Sequence, residues 1–319
     1  MAGFANTLSR TDTGTGAGSL IPEAERREIL KGLPAQSAAL ALARKVAMST
    51  KVERQPVLSA LPAAYWVSGD TGLKQTTKAE WENKELVAEE LAVIVPVPEN
   101  LLADSAYDVF GELRPLIVEA LGVELDKAVL FGTDAPATFG NSIVEGAIAA
   151  GNTVNVSATG DDASDVSAVM GQVEADGFSV SGFAARNRLK ARLRNLRDTS
   201  GSPIFSPSLT AGTPATLWGE SIVYSDLNGA WSGEGVDLIG GDWSKAVIGV
   251  RQDITFKLFT EGVISNTAGN VVLNLMQQDS VALRVVARYG FTVANPISRV
   301  NQVEATRYPF AVLETAEGS

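Results

Sequence analysis

Around residue 57 the spacing of apolar positions changes, and it changes back thirty residues later. VLSALPAAYWV is rich in β-branched, aromatic and other large side chains, SGDTGLKQTTKAEWENKE is polar with Gly69, Asp70 and Gly72 as turn formers, and LVAEELAVIVPV is apolar again. Two apolar limbs about a turn-forming centre predict a long β-hairpin over Arg54 to Glu90. Its tip and second limb carry Lys74, Lys78, Glu80, Glu82, Lys84 and Glu85, too polar a set to lie over a core. Two readings stay open. One is an ordinary surface hairpin; the other is an arm resting on a neighbouring molecule, because a two-stranded ribbon is marginal alone. In the second reading Trp66 and Trp81 are the anchors, since aromatic residues are enriched at the centres of such contacts.

Before the hairpin, residues 1–19 are rich in Thr, Gly and Ser and read as a loose arm. Pro22 suits a first helical position ahead of EAERREILKG, Gly32 suits its end, and Pro34 opens a second helical stretch, AQSAALALARKVAM. After the hairpin, Leu91, Val93, Val95 and Val97 alternate as one face of a strand. Leu101, Tyr107, Phe110, Leu113, Ile117, Leu121, Leu125 and Val129 then recur mostly at spacings of three and four. They predict one long helix, bent at Pro115 and stopped at Gly132.

Residues 133–160 read as loop and short strand. DASDVSAVMGQVEADG predicts a helix with an acidic start, FSVSGFAA a strand, and ARNRLKARLRNLRD a helix with Leu189, Leu193 and Leu196 on one face. Around those leucines stand Arg186, Arg188, Lys190, Arg192, Arg194 and Arg197, the one basic concentration in the chain. Its arginines pair with acids on this or an adjacent chain, or meet a polyanion. LWGESIVYSD, VDLIGGDWSKAVIGVRQDITFKLF and VALRVVARYGFTVANP supply β-type runs to the end. In the last, Val281, Leu283, Val285, Val286 and Phe291 fit a core strand, with Ala282 and Arg284 on its opposite side. Without a fixed repeat or a low-complexity linker, the pattern is one intertwined α+β body.

Composition removes most chemistry. The 319 residues contain no Cys and no His, which excludes thiol nucleophiles, disulfides, imidazole bases and ordinary zinc sites. With 26 Lys and Arg against 37 Asp and Glu, the net charge of −11 argues against a generic cationic nucleic-acid binder. The N-terminus lacks an apolar signal region and no run approaches a membrane span, so a soluble cytoplasmic protein is expected. There is no phosphate-cradling GxxxxGK[ST], and GTGAGS near Gly14 follows no strand. GDDASD at residues 160–165 is accounted for by the helix dipole before any cation is invoked. No cofactor or metal is expected; carboxylate-only hydrolysis stays open without an identifiable pair.

Taken in order, several segments resemble the major capsid proteins of tailed bacteriophages with the Hong Kong 97 fold. They are LIPEAERREIL, the hairpin ending in ELVAEELAVIVPVPENLLADS, ALGVELDKAVLFGTD, RLKARLRNLRDTSGSPIF, LWGESIVYS, GGDWSKAVIGVRQDI and QDSVALRVVARYGFTVANP. The resemblance implies an α+β capsid fold with an N-terminal arm and short helices at 1–53 and an extended hairpin, the E-loop, at 54–90. It implies a P-domain with a long spine helix at 91–140 and 240–319, and an A-domain at 141–239. It further implies no catalytic centre, self-assembly as hexamers and pentamers into an icosahedral shell around double-stranded DNA, and portal and possible scaffold or decoration partners. DNA contact would be loose and non-specific, and no membrane is involved. The virion is the expected location, with assembly in the bacterial cytoplasm. Candidate intersubunit residues are Trp66, Lys74, Lys78, Trp81, Arg188 and Arg192. Lys74 and Lys78 lie near where some members form an isopeptide crosslink, although no matching Asn or Glu is identifiable, and the hairpin begins too early for a fused scaffold. The alternatives are an encapsulin-like compartment for protein cargo, a tail-tube or adhesin subunit, and a carboxylate hydrolase.

Overall fold

The computed structural model describes residues 37–67, 73–105, 108–156, 162–196, 216–225, 229–231 and 235–315. The first helix expected, over 22–32, and the expected loose arm lie outside them. The second is short: α1 (Ala38–Leu42) is capped by Ser37, whose hydroxyl accepts from the Leu40 amide at 3.1 Å. Helix was expected to continue to residue 48, but Arg44–Ala47 form strand β1 in parallel register with Val247–Val250. A free ladder partner and a buried seat for Met48 beside Leu86, Ala88 and Val247 override the helical propensity of the run.

The hairpin forms as expected, from β2 (Val52–Ala60) and β3 (Glu80–Val87), antiparallel from Val52 opposite Val87 to Ala60 opposite Glu80. Strand β4 (Glu89–Pro98) follows directly. The single long helix expected next is divided into α2 (Glu99–Asp104) and α3 (Val109–Asp126). Asp108 restarts it, its carboxylate accepting the Gly111 amide at 3.0 Å, as an Asp at this position does in helix after helix. Leu101 is therefore exposed instead of on the stripe, while Ile117, Leu121 and Leu125 are buried and Phe110 and Leu113 lie partly buried beside them. Tyr107 lies outside the described residues. The helix runs through Pro115, widens into a π turn over Lys127–Phe131, and stops at Gly132 with φ 77°.

The remaining elements are α4 (Ile143–Ala150), β5 (Thr153–Asn155), α5 (Asp162–Ala175), β6 (Gly182–Ala185), α6 (Asn187–Asn195), β7 (Thr216–Leu217), β8 (Glu220–Tyr224) and β9 (Val236–Gly241). They end with β10 (Ala246–Phe259), β11 (Val263–Ser265), β12 (Val271–Asn274), β13 (Ser280–Val293) and β14 (Phe310–Glu314). Two sheets organise them. A four-stranded sheet has the order β1-β10-β13-β4, and a six-stranded sheet the order β5-β14-β9-β6-β8-β7. On the first, Ile117 and Leu121 of α3 pack against Leu283 and Val285 of β13, with Leu91, Val93 and Val95 of β4 beside them. Each such aliphatic side chain contributes about 1.5–3 kcal/mol by leaving water. Val286, expected with these, shares the other face with Arg284, because alternation along a strand cannot place 285 and 286 together. Ala282, also on that other face, is buried all the same.

The six-stranded sheet is buried on both faces. Val166, Val169, Val173, Leu189 and Leu193 of α5 and α6 cover Phe183, Leu238 and Leu313. Ile239, Phe310 and Val312 join the larger core, where Trp243 meets Phe310 edge-on at 5.2 Å and donates to the Gly182 carbonyl at 2.9 Å. Strand β14 lies between β5 and β9, so the end of the described chain belongs to this sheet.

One pair of glycines gives opposite expectations. A Cβ on Gly241 would stand 2.3 Å from the Phe310 ring and 2.4 Å from the Pro309 carbonyl, whereas one on Gly171, inside α5, meets nothing within 4 Å. Gly241→Ala should lower subunit stability by about 1–3 kcal/mol or abolish folding, and Gly171→Ala should raise it by about 0.5–1 kcal/mol. Denaturant unfolding of the two variants, with native α-helical circular dichroism as the entry criterion, checks both signs.

Candidate assembly surface

Among the described residues the hairpin is held to the body at its root. At the root, Val57 and Leu86 are buried, the Ile297 amide donates to the Leu58 carbonyl at 2.9 Å, and an Arg299 Nη donates to the Pro62 carbonyl at 3.3 Å. Lys84 Nζ reaches Glu304 at 3.3 Å and Glu82 at 3.4 Å, clipping the second strand to the short helical turn at 304–306. Farther out, Trp66 is fully exposed, Leu73 is 90% exposed and Trp81 67% exposed. Tyr65 Oη donates to the Gln75 carbonyl at 2.8 Å and accepts from the same residue's amide, which ties the two limbs near the tip. Exposed ion pairs, Arg54–Glu85 at 3.2 Å and Lys78–Glu80, line the ribbon. The hydrogen bond from Lys78 to Glu80 holds that ammonium above its ordinary range. Pairs this exposed fix rotamers more than they stabilise the fold.

Of the residues singled out by sequence, Trp66, Lys74, Lys78 and Trp81 all stand exposed on this ribbon. Arg188 and Arg192 do not join them. Leu189 and Leu193 seat α6 on the six-stranded sheet, and that orientation turns both guanidiniums toward Asp237, a fully buried carboxylate on β9. Arg188 Nε donates to Asp237 at 2.6 Å and an Arg192 Nη at 2.9 Å. Arg192 also donates to Asp162 through Nε at 3.2 Å and through its second Nη. Both arginines are thus committed within their own chain. The acidic start of α5 has a use beyond the helix dipole, since Asp162 is the second anchor of Arg192. Among the described residues no group of three metal-ligating side chains forms, and no helix is long and apolar enough to cross a membrane.

Asp237 was not singled out in the sequence. The available signal was a lone carboxylate inside the apolar run VDLIGG, which demands a cation, and the chain has one cation-rich segment to supply it. Elsewhere, burial raises the Tyr308 hydroxyl far above its usual range, and its phenol donates to the Ser142 carbonyl at 3.3 Å as a structural contact.

The described residues thus form a helix-backed four-stranded sheet, a six-stranded sheet with helices on both faces and a ribbon anchored at its root. Residues 17–298 match the phage capsid family. The major capsid protein of Staphylococcus phage 80alpha is 29% identical over 238 residues, 73% of this chain and 69% of that protein. A solved structure from Microbacterium phage Oxtober96 is 39% identical with a TM-score of 0.82, covering 98% of this chain and 100% of that one. Another, from Mycobacterium phage Adephagia, is 30% identical with the same TM-score and the same coverage. The chain belongs to the phage capsid family, and the expected α+β capsid fold of the Hong Kong 97 type is the fold these relatives support.

Arg192→Ala should leave Asp237 buried with one partner instead of two and Asp162 with none of its bonds to this guanidinium. A loss of about 2–3 kcal/mol in subunit unfolding is expected, somewhat below that of a fully enclosed pair because Arg192 is partly exposed. Arg192→Lys should recover only part, since an ammonium cannot fork between two carboxylates. By contrast, Trp66→Ala and Trp81→Ala should each shift subunit stability by less than about 0.5 kcal/mol.

Proposed function

We infer that this protein is a phage major capsid protein, a structural subunit whose function is to join copies of itself into a shell. Family membership supports the class, and the observation that supports a mechanism is the pair of exposed tryptophans on a ribbon that the described residues of its own chain hold at the root. On this reading the hairpin is the E-loop, and Trp66 and Trp81 rest on a neighbouring subunit. Each contact is modest, but a subunit gripped by several neighbours is released only when all let go, so weak contacts multiply into a firm lattice.

The finer parts of the proposal follow from the same reading. The four-stranded sheet with α3 corresponds to the P-domain and the six-stranded sheet to the A-domain. Copies assemble as hexamers and pentamers into an icosahedral virion shell around double-stranded DNA, with a portal and possible scaffold or decoration proteins as partners, in the cytoplasm of a bacterial host. The protein performs no catalysis of its own. Lys74 and Lys78, both exposed, are the hairpin lysines available should a crosslink form. The net charge of −11 lets packaged DNA move without gripping it. The relatives are phage proteins, which favours this reading over a cargo compartment.

Purified protein should elute from size exclusion as capsomers or shells and appear in negative stain as closed particles tens of nanometres across. Trp66→Ala with Trp81→Ala should block particle formation while the subunit stays folded. A stable monomer at every concentration, or normal shells from the double variant, would sink the proposal.

A further inference from the structure

The connection between the two sheets also touches the hairpin. Residues 294–309 leave β13 at Val293 and enter β14 at Phe310. On the way the Ala294 amide donates to the Lys245 carbonyl at 2.8 Å, the Ile297 amide to the Leu58 carbonyl at 2.9 Å, and Arg299 to the Pro62 carbonyl at 3.3 Å. Ser298 then crosses the end of α5, where a Cβ on Gly177 would stand 2.9 Å from its hydroxyl. Beneath this crossing lie two buried ionised side chains, Asp176 and Arg307, 5% and 3% exposed. No ion pair joins them among the described residues; each is bonded to neutral groups. Asp176 accepts from Asn152 Nδ2 at 2.8 Å, Asn301 Nδ2 at 2.7 Å and the Tyr308 amide at 2.9 Å. Arg307 donates to Asn295 Oδ1 at 3.2 Å, to the Asn295 carbonyl at 3.3 Å and to the Asn301 carbonyl at 3.2 Å. Asn301 thus bonds to both charges, to one through its side chain and to the other through its backbone.

We propose that residues 294–309 act as a releasable strap with its catch at Asn301, which in the closed state ties the root of the hairpin to the six-stranded sheet of the same subunit. Charge-assisted hydrogen bonds are about twice as strong as neutral ones, so a buried carboxylate and guanidinium that share a neighbour have each other as an alternative partner. Here the Asn301 amide holds the place on Asp176 that the Arg307 guanidinium would take. When Asn301 withdraws, Arg307 closes on Asp176, and the penalty of an uncompensated buried charge is avoided in both arrangements. Two arrangements that each satisfy the buried charges are what a bistable element requires. The catch reaches the hairpin through a tight turn: the Asn301 amide donates to Ser298 Oγ at 2.9 Å, and that hydroxyl donates back to the Asn301 carbonyl at 3.1 Å. Ile297 and Arg299, the two residues that grip the hairpin, flank Ser298, so they are fixed when the catch is closed and freed together when it opens. The inference goes beyond the assembly reading, since it concerns contacts within one subunit and holds wherever the hairpin comes to rest.

Hydrogen exchange on the purified full chain, with wild type and variants compared in the same assembly state, tests this. Asn301→Ala should speed exchange about tenfold over residues 294–303 and over residues 52–62 of the hairpin root, through the loss of two or three hydrogen bonds. Residues 117–125 and 280–293 should keep their wild-type rates. Asp176→Asn with Asn301→Asp, which swaps the amide and the carboxylate across the same contact, should bring both segments back towards wild type. A double-mutant cycle reads the alternative closure: the coupling between Asp176→Asn and Arg307→Gln in the unfolding equilibrium should grow about tenfold when residue 301 is alanine. Unchanged exchange in Asn301→Ala, or faster exchange at 294–303 without any at 52–62, would overturn the link to the hairpin. Faster exchange everywhere would reduce Asn301 to a packing residue and overturn it as well. Coupling that stays the same or falls would overturn the direct closure of Arg307 on Asp176, and with it the releasable catch. Failure of Trp66→Ala with Trp81→Ala to block assembly would bear on the assembly reading alone.

Discussion

A ribbon of two strands has no second layer, so the apolar area it carries beyond its root is not covered by its own partner strand. In this chain that area is concentrated in Trp66, Leu73 and Trp81. Burying a side chain of this size is worth as much as a good core position. The root is built to match. Leu86 and Met48 pack with Ala88 and Val247 where the hairpin meets the four-stranded sheet, Val57 is buried, and the Lys84–Glu304 contact adds a clip on the same face of the ribbon as Leu86. An arm fixed at one end and solvated along its length transmits the orientation of its body to whatever it lies upon.

The distribution of charge divides along the same line between body and surface. The basic helix α6 looks in sequence like a binding element, yet its two most committed arginines spend their donors on Asp237 and Asp162, holding the helix to its own sheet. The sheet beneath α3 does the reverse. Its arginines, Arg284 and Arg288, stand on the strand face opposite the core, where among the described residues no ion pair joins them to an acid and Arg284 lies over the Phe259 ring.

Much of this was legible beforehand, for identifiable reasons. The hairpin was visible because Gly69, Asp70 and Gly72 punctuate two apolar limbs, and the stripe of α3 because Ile117, Leu121 and Leu125 keep helical spacing. What was not legible depended on partners distant in sequence. Residues 44–47 became a strand because β10, two hundred residues later, offered a ladder edge. The long helix was broken at Asp108 by a local cap that the spacing of apolar residues hides. The commitment of Arg188 and Arg192 needed Asp237, and nothing in the spacing of the basic run points to residue 237.

The junction between β3 and β4 links the two halves of this molecule's task. Ala88 alone separates them; its amide donates to the Lys51 carbonyl at 2.8 Å, and it is fully buried. Strand β4 then runs ten residues along β13, from Glu89 opposite Tyr289 to Pro98 opposite Ser280. A displacement of the hairpin therefore cannot be absorbed by a flexible linker. It must either bend the ribbon beyond its root or move the edge of the sheet that α3 backs, and that sheet is held by the packing of Ile117 and Leu121 on Leu283 and Val285. The ribbon is the softer element, with two strands, exposed pairs and no second layer. Variation in the angle between neighbouring subunits would thus be taken up in the hairpin beyond its root, while both sheets keep their geometry. The same chain can then occupy positions of different curvature without refolding its cores.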